Sequence, residues 1–207
     1  MQQLAVPGGE VLENLPTAGL LPSELKGQEI FKANCATCHG IDGRGNGNPH
    51  RDLTNVSVMR KKKLFEMFDK VSNGAAHTGI AHRISVLDRW SALMYMRTFT
   101  ANPPIKDVVF EQKFGRNCAT CHGKRGYGDG PLSKNLVPKP ANFASLERMF
   151  QRSDEEIFEI ISKGAYPSAM PPWQDVSDMT DPAERWKFVD FVRSFSYKPA
   201  KIELEEK

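Results

Sequence analysis

Apolar positions along this chain recur at the spacing of helices. Between Asp154 and Lys163, Ile157, Ile160 and Ile161 fall on one face, and further on Trp186, Val189 and Val192 repeat at threes. Apolar residues three and four apart bury one side of a helix, whereas a strand would alternate. No convincing alternating stretch occurs anywhere in the chain. End signals agree with this reading. Ser23 can cap a first helix, Ser153 with Glu156 forms a capping box, Gly164 closes that helix, and Pro182 suits the first turn of the last one. The pattern predicts an all-α protein.

The same pattern is written twice. The pentapeptide Cys-Ala-Thr-Cys-His occurs at 35–39 and again at 118–122, 83 positions later, and its flanks repeat with it. Phe31 matches Phe114, Asn34 matches Asn117 and Pro49 matches Pro131. Downstream, FDKVSNGA (68–75) matches FEIISKGA (158–165), and DRWSALMYMRTF (88–99) matches ERWKFVDFVRSF (184–195). A fixed internal period marks a duplicated structural unit. The expected organisation is an arm at 1–22, a first domain at 23–101, a Pro-rich linker at 102–106, a second domain at 107–197 and a tail at 198–207. Each domain reads as helix, loop, helix, loop, helix. Each is too small to bury a generous core of its own side chains.

The pentapeptide supplies the chemistry. Cys-x-x-Cys-His is the attachment signature of c-type haem. Two thiols one turn apart add to the two vinyl groups, and the following histidine reaches the iron. Zinc could use two Cys-x-x-Cys pairs but needs no histidine after each. A dithiol redox pair belongs at a strand end in a βαβ unit, which this sequence lacks. All four cysteines, Cys35, Cys38, Cys118 and Cys121, are thereby assigned to two covalently bound haems, with His39 and His122 as proximal ligands. No disulfide is expected.

With these residues in place, each half resembles a class I cytochrome c across residues 23–197. That resemblance implies a terminal helix pair and a loop proline whose carbonyl fixes the proximal histidine, the parts played by Pro49 and Pro131. It also pairs Phe31 with Trp90 and Phe114 with Trp186. A distal methionine before the last helix is implied as well. In GAYPSAMPPW (164–173) Met170 occupies that place, with Met149 and Met179 as less well-placed competitors.

The first half departs from the family here. From Gly74 to Trp90 it is six residues shorter than from Gly164 to Trp186, and Ile80 falls opposite Met170. Of the five histidines, His50, His77 and His82 all lie in this half. His77, three residues after Gly74, is the preferred distal ligand; His82, Met94, Met96 or an open iron are the alternatives. A histidine would make the first centre bis-histidine and lower its potential relative to a His/Met centre, because a thioether favours ferrous iron.

Charge and hydropathy narrow the function classes. Net charge is +3 and mean hydropathy −0.47, and no apolar run reaches the 18 residues a membrane helix needs. The opening residues lack a basic stretch followed by an apolar one, so a secretory signal is either removed or was never there. The first half carries +5 and the second −1; four haem propionates would move the whole toward neutrality, which argues against nucleic acid as a partner. The run Arg60-Lys61-Lys62-Lys63, at a helix start that disfavours positive charge, suggests docking to an acidic partner and entry of electrons there. The expected function is a dihaem relay of single electrons, serving redox protein partners or a membrane electron-transfer complex as a subunit or partner of a respiratory or photosynthetic complex; the family resemblance implies a periplasmic or equivalent location. A dihaem peroxidase-like enzyme and a haem sensor are the alternatives.

Overall fold

The computed structural model describes residues 15–16, 20–77, 79–80, 82–101 and 108–197. The expected linker and tail, and most of the arm, lie outside these residues. The first half contains α1 (Glu24–Asn34), α2 (Ala36–His39), α3 (Val56–Met59), α4 (Leu64–Asn73) and α5 (Val86–Arg97). The second contains α6 (Val108–Asn117), α7 (Ala119–His122), α8 (Leu146–Phe150), α9 (Asp154–Lys163) and α10 (Pro182–Arg193). No β-strand forms among the described residues. The chain is all-α, as its periodicity predicts. The expected caps are present: Ser23 accepts from the Lys26 N–H, and Ser153 and Glu156 cap each other's backbone. The short helices α3 and α8 were not anticipated. Each is opened by a side chain of its own, Asn55 accepting from Val58 and Ser145 from Arg148.

The first and last helices of each half cross, but the two crossings are built from different residues. In the first half a Cβ on Gly27 would lie 1.9 Å from the Ser91 carbonyl oxygen, so only glycine lets α1 approach α5 this closely. Phe31 is fully buried beside Tyr95 and Phe99, with ring centroids 5.4 and 5.3 Å away. In the second half the repeat places Phe110 at the Gly27 position, and it packs against Phe188 at 4.8 Å. Phe114 packs against Phe191 and Phe195. The expected Phe31–Trp90 and Phe114–Trp186 pairs are therefore replaced. Each tryptophan instead faces the middle helix of its own half: Trp90 stacks on Phe68 at 4.2 Å and Trp186 on Phe158 at 4.3 Å.

The outer face of each tryptophan is covered by the other half. Phe150, fully buried at the end of α8, stacks on Trp90 at 4.4 Å. The Arg60 guanidinium lies 3.9 Å above the Trp186 ring, close enough for a cation–π contact. Arg60 and Phe150 stand 90 positions apart, the same offset that relates Phe68 to Phe158. The interface thus repeats one arrangement in both directions, with arginine on one side and phenylalanine on the other.

Ion pairs surround this aromatic contact. Arg97 of α5 donates to Asp154 at 2.8 Å and to Asp190 at 3.4 Å. Arg60 lies 3.8 Å from Asp190 and donates to the Thr100 carbonyl. Lys61 and Lys63 face Glu155 and Glu156, and the Glu155 N–H donates to the Arg60 carbonyl at 3.0 Å. The basic run has thus found its acidic partner within the same chain: the N-terminus of α9, where negative charge is favoured. Lys61 and Lys63 remain 61% and 42% exposed in these pairs, so an external acidic partner at Arg60–Lys63 would compete with the α9 carboxylates.

Candidate haem sites

Both Cys-x-x-Cys-His segments form one short helical turn continuing the first helix of their half. The Cys35 and Cys118 N–H groups donate to Phe31 and Phe114, at 2.8 and 2.9 Å. Glycines with positive φ, Gly40 and Gly123, then turn the chain away after the histidine. The first cysteine of each pair is half-buried. Burial, then the neighbouring second cysteine, pushes the Cys35 thiol up to about 11; the same causes push Cys118 to about 12, with Asp178 adding to them. A thioether at these positions carries no charge and meets no such penalty. No disulfide joins the four cysteines.

Each proximal imidazole is anchored through Nδ1. His39 Nδ1 lies 2.7 Å from the Arg51 carbonyl oxygen, and His122 Nδ1 3.0 Å from that of Ala141. A nitrogen facing a carbonyl must donate, which leaves Nε2 as the free lone pair in both rings. The acceptors are Arg51 and Ala141 rather than the expected Pro49 and Pro131. The reason is the path of the loop. Gly45 packs on the Arg51 backbone and Gly128 on the Pro140 carbonyl, where a Cβ would come within 2.9 and 2.6 Å, so these glycine turns bring the later carbonyl to the ring.

Opposite His39, the segment after α4 carries His77 in a short 3-10 turn, Ala75–His77. The two imidazole centroids are 6.2 Å apart and their planes differ by 8°. That separation falls within the range of offset-stacked rings, about 4.5–7 Å. Two imidazoles sharing a metal through nitrogens at ~2.0 Å would have their centres about 6 Å apart. Burial, then the His39 ring, pushes the His77 imidazole down in pKa, while its hydrogen bond to the Lys70 carbonyl acts the other way. His50 and His82 are exposed, and Met94 and Met96 are buried in the core on α5.

In the second half a cavity of about 330 Å³ opens between His122 and the loop before α10, with Cys118, Cys121, Met170 and Trp173 among its walls. Burial pushes the His122 pKa down, partly offset by its bond to Ala141, and Arg148 lowers it further. The Met170 loop is held closed by its own backbone: Ala165 N–H donates to the Met170 carbonyl, and Met170 N–H to Ser168 Oγ. Gly164 permits this, since a Cβ there would stand 2.6 Å from the Met170 oxygen. Met149 and Met179 also reach the cavity wall but are buried at 3% and 1% exposure, packed in the core.

Two further residues mark the cavity as built for a polar-edged ring. Asn117 Nδ2 and Trp173 Nε1 both belong to cavity-lining residues, and both are buried N–H donors without a partner. Buried donors are rarely left unmet, and carboxylates at a haem edge are acceptors of the kind they lack. Asn117 directly precedes Cys118 in both copies of the repeat (as Asn34 precedes Cys35), which was the available sequence signal. Trp173 carried no such mark.

Comparison with known proteins matches each half separately. Residues 25–101 match the cytochrome c family and residues 109–192 match "Cytochrome C oxidase, cbb3-type, subunit III". The Cbb3-type cytochrome c oxidase subunit FixP of Azorhizobium caulinodans is 64% identical over 160 residues, covering 66% of this chain and 54% of that protein. FixP of Sinorhizobium medicae is 28% identical over 116 residues, covering 50% and 40%. The chain thus spans about half the length of these relatives. Among solved structures, a reducing HAO-like complex of Kuenenia stuttgartiensis aligns over 85% of this chain and 99% of its own, at 20% identity and a TM-score of 0.36. The KustC0563 c-type cytochrome aligns over 41% and 94%, at 32% identity and 0.35. With two matched halves, two Cys-x-x-Cys-His segments and two anchored imidazoles, the chain belongs to the cytochrome c family: two class I domains in tandem, each with the attachment site of one covalently bound haem c.

Proposed function

We propose that this chain relays single electrons between two unlike centres, the first ligated by His39 and His77 and the second by His122 and Met170. The observation that carries the reading is the pair of parallel imidazoles 6.2 Å apart in the first half, set against a methionine-bearing loop over His122 in the second. Bound haem supplies a one-electron ferric/ferrous couple. The chain's own residues fix which side chains meet it. Arg51 and Ala141 carbonyls orient the proximal rings, the Lys70 carbonyl holds the distal imidazole, and the closed loop 165–170 presents the thioether. Such outer contacts set ligand basicity as well as orientation.

Two firm ligands on each iron describe a relay rather than a site for substrate. The likeness to FixP suggests the setting: a subunit of, or partner to, a cbb3-type oxidase, on the outer side of the cytoplasmic membrane where haem c is attached. No helix among the described residues is long and apolar enough to cross a membrane. Carbon monoxide titration of the ferrous protein tests the relay reading. Both haems are expected to bind it poorly. Rapid, stoichiometric binding at one iron would favour a peroxidase-like or sensing site instead.

A further inference from the structure

The contact between the two halves is more than packing, because its charges lead to the wall of the second haem cavity. Asp154 is buried at the N-terminus of α9 and is held from both sides, by Arg97 of the first half at 2.8 Å and Arg193 of the second at 2.8 Å. Arg193, only 1% exposed, also donates to the carbonyls of Met149 and Arg152. Both of those residues line the cavity. The other end of the chain of contacts reaches the first haem loop. Two residues after Arg97, Phe99 lies against Gly43, leaving no room for a Cβ there. Phe150, next to Met149, stacks on Trp90.

We propose that Arg97 is a positioning residue for electron exchange between the haems. By bridging Asp154 and Asp190 it locks the two halves in one orientation and ties that orientation to the wall of the second haem site. This rests on the relay reading above. Three features favour a lock over an incidental contact. First, Arg97 is 6% exposed and its partners Asp154 and Asp190 are each 7% exposed, so water does not screen the pairs as it does at a surface. Second, a planar guanidinium that meets two carboxylates restricts rotation more than a single ion pair does. Third, buried ionic groups tend to cost more in desolvation than hydrophobic replacements of the same shape, and their best-attested use is to fix one arrangement among several. The repeat points the same way. Arg193 is the repeat counterpart of Arg97, and the two converge on the one carboxylate of Asp154.

The test uses the full dihaem protein and its Arg97→Met and Arg97→Lys variants. One haem is reduced by a light pulse, exchange with the other is followed spectroscopically, and solution scattering records the overall dimensions. Arg97→Met is expected to widen the scattering envelope. It should also slow exchange at least about tenfold, the order of loss that follows small misplacement of reacting groups, with both haem spectra and potentials unchanged. Arg97→Lys should recover most of the rate. Exchange at the parent rate in Arg97→Met would overturn the proposal, whether or not the envelope widens. If Arg97→Met does not accumulate, Asp190→Asn takes its place, because it leaves the Asp154–Arg193 pair intact. A parent protein with a compact envelope but no exchange would overturn the relay reading alone, and an Arg97→Met envelope identical to the parent's would then also overturn the lock.

Discussion

The two halves of this chain repeat one pattern and differ in the segment between the middle and last helices, where the distal ligands are proposed. In the second half the span of 22 positions from Gly164 to Trp186 places Met170 in the cavity wall. In the first the same span is 16 positions, and what faces the proximal ring is His77, on a turn directly after α4. His77 comes three positions after Gly74 and Met170 six positions after Gly164, so both follow the middle helix of their half. Proximal architecture, by contrast, is nearly identical: a histidine after the second cysteine, a positive-φ glycine, and an Nδ1 bond to a carbonyl on the returning loop. The comparison teaches that the two copies keep one attachment side and diverge on the other, where the proposed distal ligands lie.

The sharpest way to break this comparison is to remove each distal group. His77→Ala should turn one haem high spin and leave the other untouched, while Met170→Ala should abolish the weak near-infrared band of a His/Met ferric haem. If His82→Ala rather than His77→Ala produces the high-spin centre, the assignment within the first loop is wrong. A near-infrared band that survives Met170→Ala would move the thioether to another methionine.

The helix crossings offer a second contrast, because the same repeat position is glycine in one half and phenylalanine in the other. Gly27→Ala forces a Cβ onto the Ser91 carbonyl, whereas Phe110→Ala empties a site that is 3% exposed. Both should cost about 3 kcal/mol or more, one by overfilling and one by a cavity. Denaturant unfolding of the two variants measures this. A neutral Gly27→Ala would contradict the close crossing.

Much of this was legible in the residues. Helical spacing, the caps at Ser23, Ser153 and Gly164, and the repeated pentapeptide foretold an all-α duplicated fold, because each is a local signal with a local cause. The imbalance of histidines drew attention to His77, whose ring lies 6.2 Å from that of His39. Contacts between the halves were not legible. Arg60-Lys61-Lys62-Lys63 and Asp154-Glu155-Glu156 were each visible as charge runs, but nothing in a linear sequence says that one run will face the other across an interface. The tryptophans were misassigned for the same reason: Trp90 and Trp186 sit in the right helix, yet the half that covers each ring lies 60 or more positions away. Carbonyl anchors such as Arg51 and Ala141 act through the backbone, so their side chains give no sign of the role.

A smaller effect should appear in acid. Burial alone would push the Asp154 carboxyl up, but Arg97 and Arg193 outweigh it and hold it down at about 2, from an ordinary 3.8. A carboxyl with a depressed folded pKa stabilises the fold at pH values above its unfolded pKa and loses that contribution as pH falls toward the folded one. The contact between the halves should therefore weaken between about pH 4 and pH 2, by on the order of 2 kcal/mol. Unfolding followed against pH checks it. The slope should vanish in Asp154→Asn, and an unchanged slope in that variant would show that another carboxyl dominates.

The central claim is that two ligand sets make one chain a two-potential relay. A redox titration with each haem assigned to its half, using His77→Ala and Met170→Ala as spectral markers, tests it most directly. Imidazole supports ferric iron and thioether supports ferrous, so two separate waves are expected, the His39/His77 centre lower and the His122/Met170 centre higher. Coincident waves, or the reverse order, would contradict the account.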